Sequence, residues 1–184
     1  MFVQPIHGKG VRVIWLKGET DMLGALEEVE SFGEFAKRNN AVASTDVKSF
    51  EHLVCTEQLS RRLGFKVGEE LIRVVRVRSL NGNARQVDHG YFLESIAKGL
   101  TPEIAAKSIY DYLEHKRGVK VMASRRTVSV ELANDEDCSY LDLGKYNCVA
   151  VMESQSYTSD GILFEVTHAR THPEIFHYRV NSKR

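Results

Sequence analysis

The run Leu71-Ile72-Arg73-Val74-Val75-Arg76-Val77-Arg78, followed by Asn81-Gly82 and a β-rich return from Val87 to Phe92, constrains this chain more than any other feature. Branched side chains suit a pleated, half-buried surface, and Asn-Gly supplies the two left-handed residues of a tight hairpin turn. An antiparallel pair is therefore predicted. A second pair is predicted at Asn147–Ser156 and Ile162–Arg170 around Ser159-Asp160-Gly161, and Asp46–Cys55 and Val119–Leu132 read as further strands. Helical signals are short: Phe32–Arg38, Glu57–Leu63, a run from Thr101 to Leu113, and Asn134–Leu141. Hairpins interleaved with few helices, rather than regular strand-helix alternation, predict an α+β domain with an antiparallel sheet and helices packed against it.

Two serines open helices in this reading. Ser31-Phe32-Gly33-Glu34 is a capping box, in which Ser accepts from the amide three residues on and Glu reaches back. Ser108-Ile109-Tyr110-Asp111 is a second capping signature inside the Thr101–Leu113 run, so either one helix continues through Ser108 or the chain breaks there. At the start of the chain, two β-prone arms flank Gly8-Lys9-Gly10, which predicts a hairpin from Phe2 to Ile14. A hairpin alone is marginally stable, which places a boundary near Lys17. The expected organisation is a hairpin unit over 1–17, a linker over 18–30 and the main domain over 31–184.

Composition excludes several classes. With 42% hydrophobic residues the chain can bury a core, and 25 basic against 25 acidic residues leave no net positive field for a phosphate backbone. Three cysteines without Cys-x-x-Cys spacing suggest reduced, packed thiols in a cytoplasmic protein. No apolar run approaches the roughly 20 residues of a membrane span. His168, His172 and His177 lack single-face geometry because Pro173 intervenes, so no metal is expected. No phosphate loop, nucleophile elbow or His-Glu-x-x-His is present, and neither a catalytic residue nor a cofactor is expected.

What remains is a candidate anion site. Arg76 and Arg78, two apart on one strand, point the same way. On a half-buried strand they need an anion, either a carboxylate such as Asp88 across the hairpin or a ligand phosphate. The helix starts at Ser31 and Ser108 can add unpaired amides and a partial positive charge. Asp88 and Glu165, on hairpin strands, can accept from sugar hydroxyls or simply face solvent.

Taken in order, Ser31-Phe32-Gly33-Glu34-Phe35, Leu63-Gly64, Val75-Arg76-Val77-Arg78 before Asn81-Gly82, Ser108-Ile109-Tyr110-Asp111-Tyr112-Leu113 and Gly161-Ile162-Leu163-Phe164-Glu165 resemble the effector-binding (UTRA) domain of GntR-type bacterial transcriptional regulators of the HutC subfamily. The resemblance runs from about Val29 to Tyr178. It implies a chorismate-lyase-like fold and a non-catalytic, homodimeric sensor of a small-molecule effector, in most cases within a repressor. Ser108–Glu114 and Leu141-Asp142-Leu143 are similar to the trehalose-operon repressor branch, which implies a sugar phosphate such as trehalose 6-phosphate. The matching site residues are Ser31, Arg76, Arg78, Ser108 and Tyr110 around the phosphate, with Asp88 and Glu165 on the sugar side. Gly8, Lys9 and Gly10 resemble the tip of a DNA-contacting wing, which implies operator binding through a winged helix-turn-helix domain whose recognition helices lie outside this chain. The chain departs from the family where Tyr-Arg-x-Asp is usual and Thr171-His172-Pro173-Glu174 stands here.

Overall fold

Asn81 and Gly82 both take left-handed backbone, with φ of 51° and 82°, the conformation a right-twisted two-residue hairpin demands. The turn joins β4 (Glu70–Leu80) to β5 (Asn83–Leu93), and its backbone ties to the start of β3 (Ala43–Val54) through Asn81 N donating to the Val42 carbonyl at 2.8 Å. The computed structural model describes residues 2–8, 10–15 and 29–178. β6 (Val121–Leu132), β7 (Cys148–Thr158) and β8 (Leu163–Thr171) complete a six-stranded antiparallel sheet in the order β3-β4-β5-β8-β7-β6. This is the expected α+β architecture.

The helices are short and stop where their caps say. α1 (Phe32–Arg38) carries the full capping box, with Glu34 N donating to Ser31 Oγ and Ser31 N to Glu34 Oε2. α2 (Glu57–Leu63) starts at Thr56 and ends on Gly64, whose φ of 90° suits only glycine readily. The Thr101–Leu113 run breaks at Ser108. α3 (Pro102–Ala105) ends, Ser108 takes extended backbone and caps α4 (Ile109–Asp111), and the chain continues as a π-turn over Tyr112–Lys116. The Ser108 hydroxyl accepts from Asp111 N at 3.2 Å and so starts a second helix instead of prolonging the first. α5 (Asp135–Tyr140) opens on a second capping box, Asn134 with Asp137. The early hairpin is present as β1 (Phe2–Ile6) and β2 (Gly10–Trp15), with Gly8 and Gly10 left-handed at its tip, while Lys9 lies outside the described residues. Among the described residues, no helix is long and apolar enough to cross a membrane.

Two apolar clusters hold the layers together. The larger joins Leu63, Leu71, Ile72, Phe92, Leu113 and Phe164, and the smaller sets Leu141 and Leu143 after α5 against Val75, Val87, Val149 and Val151. Gly90 on β5 is required by packing, since a Cβ there would lie 2.7 Å from the buried Phe92 ring. α5 is also clamped electrostatically. Arg170 Nε donates to Asp137 Oδ1 at 2.9 Å and Arg170 Nη2 to Asp137 Oδ2 at 2.8 Å, while Arg170 also reaches Glu131. Asp137 is fully buried, so Asp137→Ala leaves a largely buried guanidinium with one partner fewer and removes a cap. Chemical denaturation of Asp137→Ala should show a loss of about 3 kcal/mol, against the few tenths typical of a surface change.

Candidate effector pocket

Because side chains alternate across a strand, the pairing registers align side chains into rows on one sheet face. One row is Arg76, Asp88, Ala169 and Met152; the next is Arg78, Gln86 and Thr171. Two further rows run Thr167, Ser154, Arg126 and Glu165, Ser156, Ser124. The start of α1, the start of α4 and the segment Ile175 to Tyr178 close over this face, and together they enclose a cavity of about 160 Å³. All seven residues expected to form an effector site, Ser31, Arg76, Arg78, Asp88, Ser108, Tyr110 and Glu165, line it.

The cationic end is built around one carboxylate oxygen. Arg76 Nη2 donates to Asp88 Oδ2 at 2.6 Å, and Arg78 Nε and Nη2 donate to the same oxygen at 3.0 and 2.8 Å. The Arg76 and Asp88 side chains are each 3% exposed and Arg78 12%. Asp88, which the resemblance sets on the sugar side and the strand reading offers as the carboxylate across the hairpin, lies against both guanidiniums. Two cations share one anion, so one positive charge is left uncompensated by that contact. Burial, and then Arg78, pull Arg76 down to about 10, which measures how poorly its surroundings support the charge. Burial acts to raise the Asp88 carboxyl, but Arg76 and Arg78 outweigh it and hold it below the usual carboxylate value. The Arg78 guanidinium also lies 5.1 Å from the Phe32 ring centre, a cation–π contact that ties β4 to α1.

The rest of the lining is rich in hydroxyls around the Glu165 carboxyl. Tyr110 donates to Glu165 Oε2, and its hydroxyl lies 3.1 Å from Ser156 Oγ. Burial raises the Glu165 carboxyl above its ordinary value despite the bonds from Tyr110 and Ser156, and burial with Glu165 raises Tyr110 well above 10. The Ser31 and Ser108 hydroxyls are used as helix caps, so what they offer the cavity is the first-turn amides that follow them. Ser124, Arg126, Ser154, Thr167 and Thr171 are not singled out by the sequence, although Ser154 and Ser156 two apart on β7, and Thr167 and Thr171 four apart on β8, share a face by strand alternation. Thr171, where the chain departs from the family pattern, lines the cavity, whereas His172 is buried and bonds to the Asp142 carbonyl at 3.1 Å.

Two orphans mark what the cavity lacks. Among the described residues, Arg76 Nε and Ser124 Oγ are the buried side-chain atoms without a hydrogen-bond partner, and both belong to residues lining this cavity. Such atoms are rare because leaving them unpaired costs about 1–3 kcal/mol each. A ligand with an anionic group for the arginines and hydroxyls for the serines fits both. Among the described residues there is no group of His, Cys, Asp and Glu arranged to hold a metal.

Comparison with known proteins gives a consistent match. The UTRA domain model covers residues 38–177. The HTH-type transcriptional regulator TreR of Bacillus subtilis is 27% identical over 177 residues, 96% of this chain and 73% of that protein. The structure of the TreR effector binding domain aligns with a TM-score of 0.68 at 27% identity, over 77% of this chain and 98% of that one. The structure of YydK, a possible transcriptional regulator of the same organism, aligns with a TM-score of 0.79 at 22% identity over 98% of this chain and 76% of that one.

The opposed carboxyl shifts predict opposed pH effects. A raised carboxyl stabilises the fold fully below its ordinary value and loses that contribution as pH rises through the folded value; Asp88, held low, does the reverse. Glu165→Gln removes the first. The variant should melt above the parent at about pH 8, with the gap closing toward about pH 4. A gap that instead widens toward acid contradicts the assignment.

Proposed function

The chain belongs to the UTRA family of effector-binding domains in GntR-type transcriptional regulators, and from that premise we propose that its pocket binds a small phosphorylated sugar without transforming it. The observation that carries this reading is the pair of buried guanidiniums sharing one oxygen of Asp88, with Arg76 Nε unpaired. A phosphate dianion supplies the acceptors they lack, and the first-turn amides after Ser31 and Ser108 reinforce it from the helix side. The sugar then lies over Ser124, Ser154, Ser156 and Thr167, with Glu165 and Tyr110 as acceptor and donor. The likeness to TreR supports a disaccharide phosphate of the trehalose class.

In the whole protein, effector binding changes the affinity of a cytoplasmic homodimer for operator DNA. DNA contact falls to a winged helix-turn-helix domain, with β1–β2 as its wing and Gly8 and Gly10 bending the tip. A ligand can shift that equilibrium only by binding two states unequally. The segment between β2 and Ser31 is the natural coupling element. The competing reading is a lyase of the same fold, in which the arginines hold an anionic substrate.

Calorimetry with trehalose 6-phosphate, glucose 6-phosphate and their neutral sugars separates these. Saturable binding of a phosphorylated sugar, unchanged on recovery, is expected, with the neutral sugar at least tenfold weaker. Each charge-assisted bond contributes about 1.5–3 kcal/mol, so Arg78→Ala should weaken binding tenfold or more. Arg78→Ala binding with parental affinity, or a consumed ligand, would overturn the proposal.

A further inference from the structure

The cavity lining holds two buried carboxyls that are bonded differently. Asp88 takes donors from both arginines. Glu165, 4% exposed on β8, takes hydroxyls: Tyr110 donates to its Oε2, and Ser156 stands across from it on β7. Hydroxyls support a carboxylate less than a guanidinium does, and burial holds the Glu165 carboxyl above its ordinary value.

The charges around it come from every element of the cavity. Arg76 on β4 favours the Glu165 charge and Asp88 on β5 opposes it. Arg126 on β6 acts on Tyr110, and Lys107 lines the cavity just before α4. Arg78 is bonded to Asp88 and Glu30 to Arg38, while burial raises Tyr178 on the covering segment. Among the described residues, no His or Cys lines this space.

We propose that effector binding is coupled to protonation of Glu165: as an anion settles on Arg76 and Arg78, this carboxylate takes a proton from solvent. The anion cancels the field by which Arg76 favours the Glu165 charge, and adds negative charge to a buried space where like charges are weakly screened. Asp88 also feels that anion, but two guanidiniums hold it low, whereas Glu165 starts high. The proton adds to the carboxylate and no other bond breaks. The neutral acid still accepts from Tyr110 and gains an O–H that can donate to a ligand hydroxyl.

Linkage is reciprocal, so a ligand that raises the proton affinity of Glu165 is itself bound more tightly when Glu165 is protonated. Affinity is fullest below the ligand-free value of this carboxyl and falls as pH rises through the ligand-bound one. The domain then reads effector and acidity together. This regulation rests on the pocket reading above.

Carbon-13 spectra of the side-chain carboxyls, followed against pH with and without saturating trehalose 6-phosphate or glucose 6-phosphate, test the coupling, with Glu165→Gln assigning the signal. The Glu165 midpoint should rise by at least about half a pH unit on saturation, a linkage of about threefold. Calorimetry in buffers of different ionisation enthalpy gives a second reading. The parent should take up more proton per ligand than Glu165→Gln, because the ligand's own ionisation, near about pH 6, is common to both and cancels. Saturable binding with the Glu165 midpoint unmoved or lowered overturns the inference and leaves the pocket reading standing, as does an equal proton count in parent and variant. Failure of every sugar phosphate to bind overturns the pocket reading, and this inference with it.

Discussion

Everything at the ligand end of this domain depends on Arg76 and Arg78 meeting at Asp88. Two guanidiniums removed from water bond to one oxygen of Asp88, and although Glu165 adds a further favourable field at Arg76, burial and the neighbouring Arg78 still pull Arg76 down. The low value to which Arg76 is drawn and its unpaired Nε both mark how poorly its surroundings support the charge. Asp88 holds the cluster together when no other anion is near, and a second anion completes it. In the reading we propose, the cluster is preorganised for an anionic ligand, and preorganised charge of this kind costs little further rearrangement on binding.

The sheet makes the rest follow. Antiparallel pairing with side chains alternating in step places acid, base and hydroxyl groups of five strands on one face, in rows whose order the registers set. Strands carry the arginine cluster and the hydroxyl wall, while the starts of α1 and α4 bring their first-turn amides over them. The far wall belongs to β6, an edge strand, through Ser124 and Arg126.

Local rules made much of this legible. Asn81-Gly82 gave its turn, Ser31 and Asn134 their capping boxes, and the two-residue spacing of Arg76 and Arg78 a shared face. Ser108 was recognised as a helix start, but whether it interrupted the preceding helix depended on a competition between hydroxyl and backbone that sequence leaves open. Non-local facts were beyond reach. That β8 inserts between β5 and β7, which sets Ala169 across from Asp88 and puts Thr167 and Glu165 on the same face, follows from pairing of residues 73 to 85 apart. The same pairing hides the hydroxyl wall, since Ser and Thr on a strand read first as propensity. Asp88 had two readings, a partner for the arginines across the hairpin and, from the resemblance, a sugar contact; the register pairs it directly with Arg76.

The central claim is that an anionic ligand completes the arginine cluster by engaging the unpaired edge of Arg76. Nitrogen-15 spectra of the arginine Nε–H groups, recorded while a sugar phosphate is titrated in, test it directly. The Arg76 signal should shift with the ligand, saturate with the calorimetric isotherm and become protected from solvent exchange, and the neutral sugar should leave it in place. An Arg76 signal that stays fixed while other residues report saturable binding would contradict the account.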